Sequence, residues 1–134
     1  MLAHASTKKL ASNVAYVLGD AHLLPIRSER MDGALCFAAF AHFAGKKAFL
    51  REVYRVLRPS GRIVICHAMS SAELNRFHKG VGDEIGNDIL PDAERVAAMG
   101  RENGFVVDKT IEKPGLYLVA LRKPLGTSAY SSAE

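Results

Sequence analysis

The sequence predicts an α/β domain in which helices cover a layered sheet. Segments with strand and helix patterns alternate along the chain and end in a hairpin, which is the order of such folds. The chain has 134 residues, of which 49% are apolar, enough for one domain with a real core. Two of the predicted strands are continuously apolar, as is typical of parallel strands covered on both faces.

The first quarter of the chain predicts one helix and two strands. Leu2 to Ala11 is predicted to be a short helix, which Asn13 ends. Val14 to Leu18 is rich in β-branched and aromatic residues and predicts a strand that ends in the loop at Asp20. Met31 to Phe37 predicts the second strand.

The middle of the chain carries the clearest helix. Lys46 to Leu57 has its apolar residues at helical spacing on one stripe: Phe49, Leu50, Val53, Val56 and Leu57. Pro59-Ser60-Gly61 is expected to end this helix, and Arg62 to Cys66 predicts a third strand.

A capping box predicts the next helix. Ser70 and Glu73 have the required spacing, and the helix is expected to continue to about His78. The glycine-rich residues 79–89 predict a loop, and Pro91 is expected in the first turn of the last helix.

The end of the chain predicts a hairpin and a tail. The last helix ends at Gly104 and Phe105 to Ile111 predicts a strand. Leu116 to Leu121 follows after a short Pro114-Gly115 turn, so these strands are expected to be antiparallel. Residues 125–134 are small and polar and predict a disordered tail.

Composition argues against several classes of protein. The sequence has no apolar run of about 18 residues and no basic-then-apolar N-terminus, so neither a membrane span nor a secretory signal is predicted. The net charge of +4 is spread along the chain, which argues against a nucleic-acid surface. Cys36 and Cys66 lie in apolar runs and predict reduced, buried thiols in a cytoplasmic protein.

Four short motifs occur in order: Gly19-Asp20-Ala21-His22-Leu23-Leu24-Pro25, Met31-Asp32-Gly33-Ala34, His42-Phe43, and the run Leu50 to Arg62 (LREVYRVLRPSGR). Together they resemble class I S-adenosylmethionine-dependent methyltransferases of the ubiquinone/menaquinone-biosynthesis type. The resemblance spans residues 1–124. It implies a Rossmann-like sheet that is mostly parallel with a C-terminal antiparallel strand, and from which the N-terminal strands are missing.

The sequence departs from the family pattern in two ways. Met31, Ala41 and Ser60 stand where the family has Phe, His and Gly. More seriously, the family's E/D-x-G-x-G-x-G loop, which lets the backbone approach the cofactor, has no match in the 134 residues. Gly80-x-Gly82-x-x-x-Gly86 is not a substitute, because no strand precedes it and no helix follows it.

The resemblance also implies site residues. Asp20 would accept a hydrogen bond from the adenine amino group of S-adenosylmethionine, and the backbone N–H of Ala21 would reach a ring nitrogen. Phe37 and Ala38 would flank the sulfonium end, and His42 would be a base or a substrate contact. The alternatives are a turn aspartate, core packing and a structural histidine.

The sequence predicts no metal site and no catalytic dyad. His67 and His78 have no partner at metal-ligand spacing. Methyl transfer to a nucleophilic substrate depends on alignment more than on acid–base groups, so the missing dyad does not exclude the class.

Two functions remain open. One is a truncated or fragmentary methyltransferase that acts on a small molecule, with acceptor choice made by Ser70 to Leu90. The other is an inactive methyltransferase remnant that serves as an interaction or regulatory module. Because Met31 to Phe37 would lack a neighbouring strand, a homo-oligomer or a partner protein is expected in either case.

Overall fold

A computed structural model describes residues 2–5, 7, 11–82 and 88–126. Its helices are α1 (Leu2–Ala5), α2 (Lys46–Val56), α3 (Ser71–Val81) and α4 (Ala93–Glu102), with a 3-10 turn at Phe40–His42. Its strands are β1 (Met31–Phe37), β2 (Leu57–His67), β3 (Val106–Lys113) and β4 (Leu116–Arg122). The predicted α/β class is confirmed.

The four strands form one mixed sheet in the order β1-β2-β4-β3. β1 pairs with β2 in parallel, while β4 is antiparallel to both β2 and β3. Three strands therefore run in one direction and β4 alone runs in the other. This confirms the predicted parallel arrangement with a C-terminal antiparallel strand, and within the described residues β1 lies at an edge.

The predicted strand at Val14 to Leu18 is wrong. These residues have no regular secondary structure and are all exposed, Leu18 to 83%. A strand is stabilised only by a neighbour, and no described strand lies beside this segment. The predicted helix at Leu2 to Ala11 is observed over Leu2–Ala5, and residues 6 and 8–10 are outside the described part.

The junction of α2 and β2 also differs from the prediction. α2 ends at Val56 and β2 begins at the next residue, so Pro59-Ser60-Gly61 lies inside a strand. The register of β1 against β2 shifts opposite these residues, between Met31 and Gly33. Ser60 takes a φ of 68°, a left-handed conformation that favours glycine. A Cβ on Gly61 would lie 2.8 Å from the carbonyl oxygen of Arg58, so only glycine fits there.

The two later helices begin near the predicted residues. Ser70 caps α3 with the full reciprocal capping box to Glu73, as predicted, and α3 continues three residues beyond His78. Pro91 was wrongly placed, because Asp92 is the N-cap of α4 and Pro91 precedes it. Residues 83–87, with Gly86 of the glycine-rich stretch, and residues 127–134 of the predicted tail lie outside the described residues.

The core lies between the central strands and helices α2 and α4. Residues in β2 and β4 alternate between buried and half-buried positions, as expected for strands in the middle of a sheet. The largest fully buried side chains include Tyr117, Phe40, Leu50, Leu57, Ile63, Ile65 and Leu121. This packing fixes the carboxyl ends of β1 and β2 relative to one another.

Ser60 and Gly61 offer a test of this junction. Ser60→Gly should raise the free energy of unfolding by about 0.5–1 kcal/mol, because it removes left-handed strain from a side chain that is exposed. Gly61→Ala should lower it by about 1–3 kcal/mol through the contact with Arg58. Urea denaturation measures both, with Ser12→Gly as the control because Ser12 has no positive φ. A loss of stability in Ser60→Gly would contradict the assigned backbone.

Candidate functional site

The carboxyl ends of β1 and β2 meet at one edge of the sheet. Phe37, the last residue of β1, pairs with Cys66, and the backbone N–H of Ala38 donates to the carbonyl oxygen of Cys66 at 3.0 Å. Ala38 has a φ of 54°, which is strained for a residue with a Cβ. Such strain at the ligand-binding edge of an α/β sheet is typical of functional sites.

A small pocket opens at this edge. It has a volume of about 150 Å³ and is lined by Phe37, Ala38, His67, Ala68, Met69 and Leu74. Phe37 and Ala38 follow from β1, the next three from the end of β2, and Leu74 from the first turn of α3. His67 brings the one polar side-chain group among these six residues.

His67 is an unusual buried polar residue. It is 4% exposed, and its Nε2 is buried without a hydrogen-bond partner among the described residues. Its ring packs edge-to-face on Tyr117, with centroids 5.6 Å apart. Burial lowers the pKa of His67, and the nearby charges of His42 and His78 lower it further. The imidazole is therefore neutral near pH 7.

Two more histidines lie beside His67 and share an aspartate. Nδ1 of His42 lies 2.6 Å from Oδ2 of Asp88. Nδ1 of His78 donates to the backbone carbonyl of Asp88 at 2.7 Å, and the rings of His42 and His78 are 5.4 Å apart. Asp88 thus ties the 3-10 turn to α3 across 46 residues of sequence.

Asp20 lies in a turn that is closed by its own neighbours. Its Oδ1 accepts hydrogen bonds from the backbone N–H and from Nδ1 of His22, both at 2.8 Å, and the backbone bond is the larger cause of its lowered pKa. Nε2 of His22 accepts from the backbone N–H of Gly45 at 3.2 Å, which leaves the ring proton on Nδ1. The His22 ring also contacts Phe43 at 5.9 Å, so this turn reaches the 3-10 turn.

A buried ion pair on α2 holds the chain that follows Asp20. Glu52 is 8% exposed, and Arg55 donates to both of its carboxylate oxygens, at 2.6 and 3.0 Å. Glu52 also accepts from the backbone N–H of Leu24, while Arg55 donates to the carbonyl oxygens of Leu24 and Ile26. The hydrogen bonds from Arg55 lower the pKa of Glu52, so the pair is charged.

Lys46 fastens the 3-10 turn itself. Its ammonium donates to the carbonyl oxygens of Ala41 and Phe43, at 3.1 and 2.9 Å. Partial burial lowers its pKa. The turn that carries His42 is therefore held from both ends, by Lys46 on α2 and by Asp88.

The structure groups the predicted site residues into two places. Phe37 and Ala38 line the pocket, and His42 lies next to the histidine group beside it. Asp20 and Ala21 lie on the separate turn, which His22 joins to Phe43. Their roles toward a cofactor remain predictions.

Three residues of this neighbourhood were missed from the sequence. His22 lies inside the Gly19-to-Pro25 motif, and its histidine chemistry was the available signal. His67 was considered only as a metal ligand, and Asp88 carried no sequence signal at all. Within residues 2–5, 7, 11–82 and 88–126, no three His, Cys, Asp or Glu side chains are placed to hold a metal ion. None of the helices in that part is long and apolar enough to cross a bilayer.

Comparisons with known proteins agree with this architecture. Residues 1–65 match the family described as a methyltransferase domain. O-methyltransferase resE of Aspergillus sclerotiorum is 28% identical over 123 residues, which cover 81% of this chain and 47% of that protein. The chain spans less than half of the length of the curated relatives it matches.

Solved structures share the fold at low sequence identity. The Haloferax volcanii complex between the Trm112 methyltransferase activator and a methyltransferase gives a TM-score of 0.78 at 17% identity, over 92% of this chain and 68% of that one. An S-adenosylmethionine-dependent methyltransferase of Thermotoga maritima gives 0.67 at 20% identity, over 81% and 64%. The resemblance noted from the motifs is thereby confirmed.

Glu52 and Asp20 should differ in their effect on stability. Glu52→Ala leaves Arg55 and the N–H of Leu24 without their buried acceptor, so the free energy of unfolding should fall by about 2–4 kcal/mol. Asp20→Ala should change it by no more than about 0.5–1 kcal/mol, since the Asp20 side chain is 68% exposed. Thermal unfolding followed by circular dichroism compares the two variants. Equal losses would make Asp20 a structural residue.

Proposed function

Since the chain belongs to the S-adenosylmethionine-dependent methyltransferase family, we propose that the carboxyl edge of its sheet receives that cofactor and a small-molecule methyl acceptor. The observation that carries the proposal is the strained Ala38 beside a pocket at the ends of two parallel strands. Open α/β sheets bind ligands at this edge.

The residues present fit two parts of the cofactor. The Asp20 carboxylate is exposed and has a lowered pKa, so it is charged and able to accept from an amino group such as that of adenine. The Phe37 ring is 60% exposed at the strand end and could face a sulfonium cation, which aromatic rings attract. When bound, S-adenosylmethionine supplies an electrophilic methyl group on that sulfur.

The protein's own contribution would be alignment and exclusion of water. Ala38, with its small side chain, leaves room next to the pocket, and Met69 and Leu74 give it an apolar wall. An acceptor held there would meet the methyl group in a fixed geometry, which is the main requirement of the reaction. The free thiols of Cys36 and Cys66 fit a reducing compartment, and we propose a cytoplasmic location.

The 134-residue chain should bind S-adenosylmethionine weakly. The site would contact the adenine and the sulfonium end, while the sequence has no glycine-rich loop and no acid for the ribose. Titration with S-adenosylmethionine in a ¹H–¹⁵N spectrum should shift the signals of Asp20, Ala21, Ala38 and His42, without saturation in the micromolar range. Isothermal titration gives the affinity.

The control for that titration is Asp20→Ala, which should lose the shifts near the turn and keep those near Ala38. A micromolar dissociation constant would contradict the weak binding. Shifts confined to other surfaces would contradict the site.

An interaction module is the second candidate, and the edge of β1 favours it. Leu35 and Phe37 on β1 are 71% and 60% exposed, and Leu18 and Leu23 are exposed nearby in sequence. A soluble monomer rarely leaves such apolar side chains and an unpaired strand in water. We propose that a second copy of this chain covers the β1 edge, because a symmetric pair satisfies both edges at once.

Self-association is tested by size exclusion with light scattering. The chain should elute as a dimer or larger species at about 100 μM, and Leu35→Glu should shift it toward the monomer by placing a charge in the interface. Leu125→Glu is the matched control, since Leu125 is equally exposed, at 74%, and lies after β4. A stable monomer of the unmodified chain would exclude the self-association.

A further inference from the structure

We propose that His67 is the specificity-determining residue of the pocket and that it holds a hydroxyl group on a ligand no larger than a single six-membered ring. The inference rests on the proposed function, since the ligand would be the part of the methyl acceptor that carries the reacting oxygen. It adds the chemical class of that acceptor and assigns the residue that selects it.

The pocket sets the size of the ligand. Its volume of about 150 Å³ is that of cavities that hold one benzene-sized molecule. Phe37, Met69 and Leu74 offer it apolar contacts. A ring or a short branched chain would fill this space, and a larger acceptor would extend out past Ala38.

His67 sets the chemistry. A buried polar atom without a partner costs about 1–3 kcal/mol, and proteins rarely keep one unless a ligand or water satisfies it. Nε2 of His67 is such an atom among the described residues, and no other described side-chain nitrogen or oxygen is in that condition. It belongs to the one residue of the pocket lining with a polar side-chain group.

A hydroxyl is the group that matches this nitrogen. A neutral imidazole nitrogen either accepts or donates a hydrogen bond, depending on the tautomer, and a hydroxyl oxygen serves both cases. A cationic group does not fit, because His42 and His78 lie close by and burial already disfavours charge at His67. A carboxylate would have to be desolvated among apolar walls.

The orientation of the imidazole is set by its surroundings rather than by the ligand. Tyr117 is fully buried, and its hydroxyl donates to the carbonyl oxygen of Pro91 at 2.9 Å, so the ring against which His67 packs is fixed. A preorganised hydrogen-bonding group loses little entropy on binding. The competing explanation is a histidine that serves only as a packed ring.

The test uses two probes of one shape, 4-fluorophenol and 4-fluorotoluene, which differ in the hydroxyl. Their dissociation constants for the 134-residue chain are measured by ¹⁹F NMR without any methyl donor. We expect 4-fluorophenol to bind at least about tenfold more tightly, which corresponds to one hydrogen bond of about 1.4 kcal/mol. The ¹⁵N signal of His67 Nε2 should move with 4-fluorophenol and stay in place with 4-fluorotoluene.

Variants separate recognition from packing. His67→Phe keeps a ring against Tyr117 and should bring the ratio of the two affinities to about one, because only the hydrogen bond is lost. His67→Gln keeps donors and an acceptor and should retain part of the preference. His4→Phe, at an exposed residue of α1, should leave the ratio unchanged.

Three results would overturn the proposal: equal affinities in the unmodified chain, no binding of either probe, or a preference that survives in His67→Phe. If His67→Phe does not fold, the ratio in the unmodified chain and in His67→Gln, with the ¹⁵N signal, decides the question. Because no methyl donor is present, failure here leaves the cofactor titration unaffected, and failure of that titration leaves this result standing.

Discussion

The ion pair between Glu52 and Arg55 is the interaction on which the placement of the site depends. It lies on α2 but satisfies backbone groups of the chain between Asp20 and β1, at Leu24 and Ile26. That segment returns the favour at the end of the helix, where the N–H groups of Glu29 and Arg30 donate to the carbonyl oxygens of Arg55 and Val56. A charged pair that is nearly buried is costly unless all its bonds are made, so the loop and the helix form as one unit.

Carboxylates do similar work on the other side of the pocket. Glu112 on β3 accepts from the N-terminal N–H groups of two helices, at Ser71 of α3 and Ala93 of α4, both at 2.7 Å. A negative charge at a helix N-terminus is favoured by the free N–H groups and the helix dipole. Glu112 therefore fixes the start of α3, whose first turn carries Leu74 of the pocket and whose later turns carry His78.

Prediction from the sequence succeeded where a local pattern determined the structure. β1 and the capping box of Ser70 needed only composition and spacing, and α2 was misplaced by one residue at its end. The sequence failed at Val14 to Leu18, because a strand pattern states a preference while pairing depends on a neighbour elsewhere in space. The site was found in part for the same reason. Phe37 and Ala38 follow from the end of a strand, whereas the contact of Asp88 with His42 joins residues 46 positions apart.

Phe37 belongs to the pocket and to the exposed edge of β1 at the same time. Any chain that pairs with β1 would therefore lie against one wall of the ligand site. Binding at two places that share a residue is coupled, and the coupling is reciprocal: if pairing at the edge strengthens ligand binding, the ligand strengthens pairing equally. Ala38 makes the coupling steeper, because its strained φ is tolerated only while its neighbours hold it in place. The two candidate functions, catalysis and association, are in this sense demands on the same few residues.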